Sequence, residues 1–214
     1  MAKKLNTNNN AYIIIYSIVL VVIVAFTLAF VYTSLKEKQE ANVALDVKKQ
    51  VLASLDIREF ADDADAERRY SETVISTDTL SSEDKAIVYT CTLNGETKYV
   101  LYVQGMGLWG PIWGYIALNS DKQTVCGAYF NHASETAGLG AEIKDSKAWQ
   151  DQFKGKTAFA DNKVMLSVKK ATDIKPEERQ YTVDAVTGST LTCNGVNNMF
   201  KESIALYADF LNDK

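Results

Sequence analysis

Between Asp184 and Thr190 the chain crowds three hydroxyl side chains, Thr187, Ser189 and Thr190, around Gly188, with a carboxylate six residues before the last of them. A hydroxyl is a point of attachment or a hydrogen-bond donor, and a glycine lets the backbone approach a bulky group closely. The string is followed by an apolar pattern of helical period, so it stands just ahead of a helix start. A helix start offers unpaired N–H groups and the positive end of the macrodipole, both of which favour a phosphate. The same residue types also suit an ordinary turn that caps a helix. Two further stretches carry residues of comparable promise. One is Gly107-Leu108-Trp109-Gly110, and the other is Glu135-Thr136-Ala137-Gly138-Leu139-Gly140.

The elements that must position these residues are legible in part. Ile87 to Thr92 and Lys98 to Val103 are β-rich runs about Asn94-Gly95, a pair suited to a tight hairpin. Tyr115 to Leu118 and Thr124 to Phe130 read as strands separated by Asn119-Ser120-Asp121, and 131–140 reads as a loop. Lys147 to Phe153 suits a short helix, Lys163 to Val168 a strand, and Tyr181 to Val186 another. Val196, Met199, Phe200, Ile204, Tyr207 and Leu211 repeat at three and four residues, which makes one apolar helix face. Asn194, or alternatively Thr192, is the expected N-cap of that helix, which leaves Thr190 just before it. The fold class is α+β, with a mostly antiparallel sheet and flanking helices.

The chain has 214 residues, enough for one ordinary domain and an appendage. From Ala11 to Val31 there is no Asp, Glu, Lys or Arg, and fourteen of the residues are Ile, Leu, Val or Phe. About 20 residues at ~1.5 Å each span a ~30 Å hydrocarbon core. At about 0.3–0.6 kcal/mol per residue, those fourteen favour insertion by roughly 4–8 kcal/mol. A cleaved signal peptide has a shorter apolar core and a small-x-small cleavage site; this run is longer and ends Phe30-Val31-Tyr32, so a retained anchor is expected. Lys3 and Lys4 precede it while Lys36, Lys38, Lys48 and Lys49 follow, so the basic residues alone do not orient it. The expected division is a cytoplasmic tail over 1–10, a transmembrane helix over 11–34, an amphipathic helix and linker over 35–84, and a soluble domain over 85–214. Within the linker, the acidic residues between Phe60 and Asp78 read as a solvated segment or frayed helix.

A net charge of −4 without basic clusters argues against nucleic acid. The three cysteines, Cys91, Cys126 and Cys193, have no metal-like spacing and allow one disulfide at most, and the single His132 cannot build a zinc or haem site unaided. No metal ligand set and no catalytic residue is therefore expected. Without an iron–sulfur cysteine pattern or a Gly-x-Gly-x-x-Gly fingerprint, a redox role needs a cofactor held in some other way.

Asp184-Ala185-Val186-Thr187-Gly188-Ser189-Thr190 resembles the acceptor sequence of proteins that carry FMN as a phosphoester on a threonine. That pattern reads Asp, two variable residues, Ser or Thr, Gly, Ala, Thr; Ser189 stands here for Ala. Glu135 to Gly140 is similar to the Glu-Thr-Pro-Gly-Leu-Gly of the same family, with Ala137 for Pro, and Gly107 to Tyr115 resembles its Gly-Leu-Trp segment. The resemblance covers roughly Ala86 to Leu211. It points to the FMN-binding domain shared by the C-subunit of the Na+-translocating NADH:quinone oxidoreductase and the G-subunit of the Rnf electron-transport complex. Ala41 to Leu52 and Gln152 to Lys156 resemble the first of these more closely.

The resemblance implies FMN on Thr190, with Asp184, Thr187, Gly188, Ser189, Leu108, Trp109, Glu135, Thr136, Gly138 and Leu139 about it. Trp109 is either at the flavin edge or a core tryptophan; Glu135 and Thr136 are either beside the flavin or a capping pair; Gly138 and Gly140 shape their loop. It further implies a flavin transferase that uses FAD, other subunits of a complex that oxidises NADH, reduces quinone and exports Na+, and a domain on the periplasmic face of a bacterial inner membrane. The NADH site and ion path are expected in those other subunits. A single-pass binding or assembly module without flavin is the alternative of a different class. If 11–31 is a retained anchor, protein recovered from membranes keeps its residues before Phe30 and resists carbonate extraction; a chain beginning after Phe30, or washed off by carbonate, overturns it.

Overall fold

The computed structural model describes residues 9–81, 83 and 85–213. The 1–10 tail, with Lys3 and Lys4, lies almost wholly outside the described residues. The chain divides into two compact units, Met1–Asp46 and Val47–Lys214.

From Asn10 on, the first unit is helical, as the beginning of α1 (Asn10–Ser54). Among the described residues this is the one helix long and apolar enough to cross a membrane, and no residue of its most apolar window is buried. The hydroxyls of Thr27 and Thr33 donate to the carbonyls of Ile23 and Ala29, each at 2.8 Å. That satisfies two polar groups that hydrocarbon could not. The rings of Tyr12 and Tyr16 stack at 6.3 Å.

In the second unit five strands, β1 (Val74–Ser81), β2 (Ala86–Leu93), β3 (Glu96–Met106), β4 (Pro111–Leu118) and β5 (Val125–His132), form an antiparallel meander in sequence order. Asn94 (φ 54°) and Gly95 (φ 79°) supply the two positive φ angles of the β2–β3 turn. Side chains alternate between the two faces of the sheet, and here both faces are covered. On one, Val88, Leu101, Val103, Ile116 and Phe130 meet the helices α3 (Glu142–Asp145), α4 (Lys147–Asp151), α5 (Thr190–Met199) and α6 (Ala208–Asn212). A single π-helical turn, Phe200–Ile204, follows α5. Phe130, Trp149, Phe153 and Phe200 cluster at ring separations of 5.1–5.9 Å.

On the opposite face Tyr89, Cys91, Val100, Tyr115 and Ala117 meet Val47, Val51 and Leu55 from the end of α1. The described residues between 47 and 81 therefore hold more order than a linker. The end of α1, then α2 (Asp63–Thr73) and β1, complete the sheet and its outer layer, where Val47, Val51, Leu55, Tyr70 and Val74 find cover, while Ile75 and Leu80 of β1 stay exposed. The acidic stretch is capped and paired: the Asp62 side chain accepts from the N–H of Asp65, and Lys48 and Lys49 reach Glu67 and Asp63 at 2.9 and 2.7 Å.

The remaining strands are short. The expected strand over Lys163 to Val168 is two, β7 (Lys163–Val164) against β6 (Phe159–Ala160), and β8 (Ser167–Lys169) parallel to β9 (Thr182–Asp184). All three cysteines are free. Burial, with the nearby Cys126 adding to it, pushes the Cys91 thiol up to about 12, and burial also raises Cys126 and Cys193, so the thiols are protonated at neutral pH.

Every residue of the expected apolar helix face, from Val196 to Leu211, is buried. Tyr207 lies at its centre, its phenol raised above the ordinary value by burial. Its hydroxyl accepts from the N–H of Ile87 at 2.9 Å and sits 2.6 Å from the carbonyl of Tyr102, thereby joining β2 and β3 to the helix. Tyr207→Phe leaves those groups unpaired at a cost of about 1–3 kcal/mol. At about 2–4 °C per kcal/mol for a domain of this size, the detergent-solubilised chain should melt several degrees lower; unchanged melting overturns the role.

Candidate functional site

The segment after β9 is held at its base before it becomes the hydroxyl-rich loop. The indole N–H of Trp149 donates to the carbonyl of Asp184 at 2.8 Å, and the N–H of Asp184 donates to Oε1 of Gln152 at 2.9 Å. The chain then turns through Gly188, at φ +78°, and enters α5. Here the expected helix start needs correction: α5 begins at Thr190 with Ser189 as N-cap, earlier than either Asn194 or Thr192. Asn194 is exposed on the helix, and the hydroxyl of Thr192 is committed to Glu135. Thr190 is thus the first residue of the helix, and it is exposed.

Glu135 organises the site. It is only 7% exposed, and its carboxylate accepts two hydrogen bonds from parts of the chain far apart in sequence. Oε1 accepts from the backbone N–H of Trp109 at 2.9 Å, and Oε2 accepts from the hydroxyl of Thr192 at 2.6 Å. Bonds to a charged acceptor are stronger than neutral ones. The N–H of Glu135 donates to Nδ1 of His132 at 3.1 Å, and the hydroxyl of Ser134 donates to the carbonyl of Trp109 at 2.9 Å. The Gly107–Gly110 turn, the loop after β5 and the start of α5 are therefore tied together.

Two glycines make this approach possible. A Cβ on Gly107 would lie 2.5 Å from Oε1 of Glu135, and one on Gly140 would collide with Oε2 and lie 2.6 Å from Oγ1 of Thr192. Gly140 thus shapes its loop by close approach, whereas Gly138, at φ +73° with open space beside it, does so by backbone conformation.

These segments enclose a groove of about 330 Å³, at the lower end of the range of small-molecule sites. Among the residues singled out from the sequence, Leu108, Trp109, Glu135, Thr136, Leu139, Gly188, Ser189 and Thr190 line it; Asp184, Thr187 and Gly138 do not. Gly140, Leu191 and Thr192 complete the lining. Thr192 was legible only as a cap, since its role depends on a partner remote in sequence. Trp109 is 65% exposed, so it is no core tryptophan, and Leu108, Leu139 and Leu191 are also exposed. The groove thus has apolar walls, a polar floor at Glu135 and Thr192, and the Thr190 residue at its edge.

A second cavity of about 270 Å³ adjoins Thr190 and is lined by Lys169, Lys170, Asp173, Asn194 and Asn197, among others. Lys169 is paired with Glu178 at 2.8 Å. The hydroxyl of Ser189 is buried without a hydrogen-bond partner, a situation that ordinarily costs about 1–3 kcal/mol. Among the described residues no group of three or more His, Cys, Asp or Glu is disposed to hold a metal ion.

The FMN-binding domain family model matches residues 107–205 of the chain. The C-subunit of Na(+)-translocating NADH-quinone reductase from Pasteurella multocida is 45% identical over 106 residues, covering 49% of this chain and 39% of the relative. Its counterpart in Chlamydia trachomatis is 39% identical over 127 residues, covering 52% and 40%. The chain thus spans about two fifths of the length of these curated relatives. A crystal structure of the same reductase component from Parabacteroides distasonis, 32% identical, superposes with a TM-score of 0.76 and covers 84% of this chain and 98% of that one. One from Shewanella oneidensis, 21% identical with a TM-score of 0.64, shares the fold.

The Glu135–Thr192 bond can be tested directly. Thr192→Val removes a donor to a buried carboxylate, worth about 1.5–3 kcal/mol, and should lower the melting temperature and alter the fluorescence of the groove tryptophan, while Thr192→Ser should behave as the parent. If valine is tolerated without either change, Glu135 is not held by this bond.

Proposed function

The chain belongs to the C-subunit family of Na(+)-translocating NADH-quinone reductases, and from that premise we propose that it is an electron-transfer component carrying FMN as a phosphoester on Thr190. One observation carries the reading: the acceptor threonine, exposed, stands at the first residue of α5 on the wall of the groove that the Glu135 carboxylate holds together. The residues present suit the group. Trp109, Leu108, Leu139 and Leu191 offer apolar area, and the indole offers a stacking face, to a flat ring system. The N–H groups in the first turn of α5 favour a phosphate beside Thr190. When bound, FMN supplies the electron-accepting ring, and the protein tunes and orients it. In this reading Glu135 and Thr192 set the floor of the groove, Gly188 brings the acceptor loop close to Leu139, and Asp184 and Thr187 serve the loop rather than the groove.

Thr190 would be modified by a separate flavin transferase that uses FAD. The threonine hydroxyl gives up its proton as its oxygen forms a bond to the phosphorus on the riboflavin side, the anhydride linkage breaks, and AMP leaves. The apolar part of α1, expected over 11–34, would be a single-pass anchor in a bacterial inner membrane, with the FMN-binding domain, expected over 85–214, on the periplasmic side. Partner subunits of the complex would supply NADH oxidation, quinone reduction and the path for Na+.

On a denaturing gel lit by ultraviolet light, the flavinylated chain should give a fluorescent band at its own size, and Thr190→Val should give none. A flavin released by denaturation, or placed on Thr187 or Thr192 by peptide mass spectrometry, overturns the assignment.

A further inference from the structure

Three buried side-chain atoms lack a hydrogen-bond partner among the described residues: Nε of Arg58, Oε1 of Gln150 and Oγ of Ser189. Only the last belongs to the groove. Ser189 is 5% exposed, lines the groove, and occupies the N-cap position of a ten-residue helix. A serine there ordinarily accepts from the N–H of the second or third helical residue. Here the backbone stands at φ −118°, ψ 39°, and the side chain makes no capping bond. The cap hydroxyl and the first-turn N–H groups beside it are thus donors without acceptors inside the helix. Donors converging at the positive end of a helix dipole are what an oxyanion requires.

Resting on the reading that Thr190 carries FMN, we propose that Ser189 is a phosphate-anchoring residue of this chain: its hydroxyl donates to a non-bridging oxygen of the phosphoester on the neighbouring threonine. The phosphoester retains one negative charge and free acceptor oxygens. Because the ester is formed on the adjacent residue, the anion is delivered within one residue of the orphaned hydroxyl. The family acceptor pattern has alanine at this position, so the contact is particular to chains that carry serine there. Its consequence is mechanical. A phosphate held by both the helix start and Ser189 cannot swivel freely about the threonine side chain, and the ring beyond it is restricted to the groove side of Thr190. The competing location for the anion is the second cavity, where Lys170 would be its partner.

The full-length flavinylated chain in detergent can be examined by phosphorus NMR, with peptide mass spectrometry to locate the flavin. The parent should show one phosphodiester resonance, displaced from its position in the urea-unfolded chain. Ser189→Ala should retain covalent FMN on Thr190 while its resonance moves at least half of the way to the unfolded position. Ser189→Thr, which keeps the hydroxyl, and Lys170→Ala should leave the resonance where the parent has it. Should the alanine variant not accumulate, Ser189→Gly makes the same comparison. A resonance unmoved by loss of the hydroxyl, or moved by Lys170→Ala instead, overturns the anchoring role and leaves FMN on Thr190 intact. A parent without covalent flavin on Thr190 overturns both readings.

Discussion

A carboxylate out of water must be hydrogen-bonded, and the way Glu135 meets that requirement determines the groove. Its two oxygens reach the backbone of Trp109, 26 residues before it in sequence, and the hydroxyl of Thr192, 57 residues after it. The approach is so close that neither Gly107 nor Gly140 has room for a β-carbon. Two loops without regular structure of their own are thereby bound to the first turn of α5 as one frame. Were the carboxylate free to rotate into solvent, the Gly107–Gly110 turn and the loop after β5 would have few other reasons to stay against α5.

The frame is only as firm as the helix it leans on, and α5 is fastened to β3 along its length. Gly195 packs against the carbonyl of Met106. The hydroxyl of Ser203, in the π-helical turn, accepts from the N–H of Gln104 at 3.1 Å and donates to its carbonyl at 2.8 Å. Tyr207 then ties the far end to β2 and β3. π-helical turns concentrate at functional sites; here the turn places Ser203 on Gln104 of β3, beyond the residues of that strand that pair with β2. The start of α5, where Thr190 sits, inherits the rigidity of the sheet without being buried by it.

What the sequence made legible was local. The Asn94-Gly95 hairpin, the run of apolar residues in α1 and the buried face of the last helix each follow from residues near one another in the chain. The start of α5 lies earlier than the expected cap Asn194, or its alternative Thr192: Asn194 has the chemistry of a cap but stands exposed within the helix, and Thr192 spends its hydroxyl on Glu135, a choice set by a residue in another loop. The parallel pairing of β8 with β9 and the packing of Val47, Val51 and Leu55 on the outer sheet face are likewise non-local. In the site, a residue such as Trp109 could be named from its motif, but whether it lay in the core or at the surface waited on the backbone around it.

The walls of the groove would be unfavourable if nothing covered them. Leu108, Trp109, Leu139 and Leu191 are all exposed around it, and apolar area left in water forgoes about 25 cal/mol for each Å². Side chains of this kind ordinarily collapse on one another, and the groove would close. The Glu135 frame opposes that collapse, because it sets the backbone of Trp109 on one side and α5 on the other at a separation the carboxylate fixes. An exposed apolar patch held open by buried polar bonds is characteristic of a surface shaped for a ligand or partner, and a flat ring tethered at Thr190 would cover these walls without leaving the groove. The arrangement therefore separates two tasks: the buried polar bonds keep the shape, and the apolar walls, relieved of any structural role, are free to receive the ring.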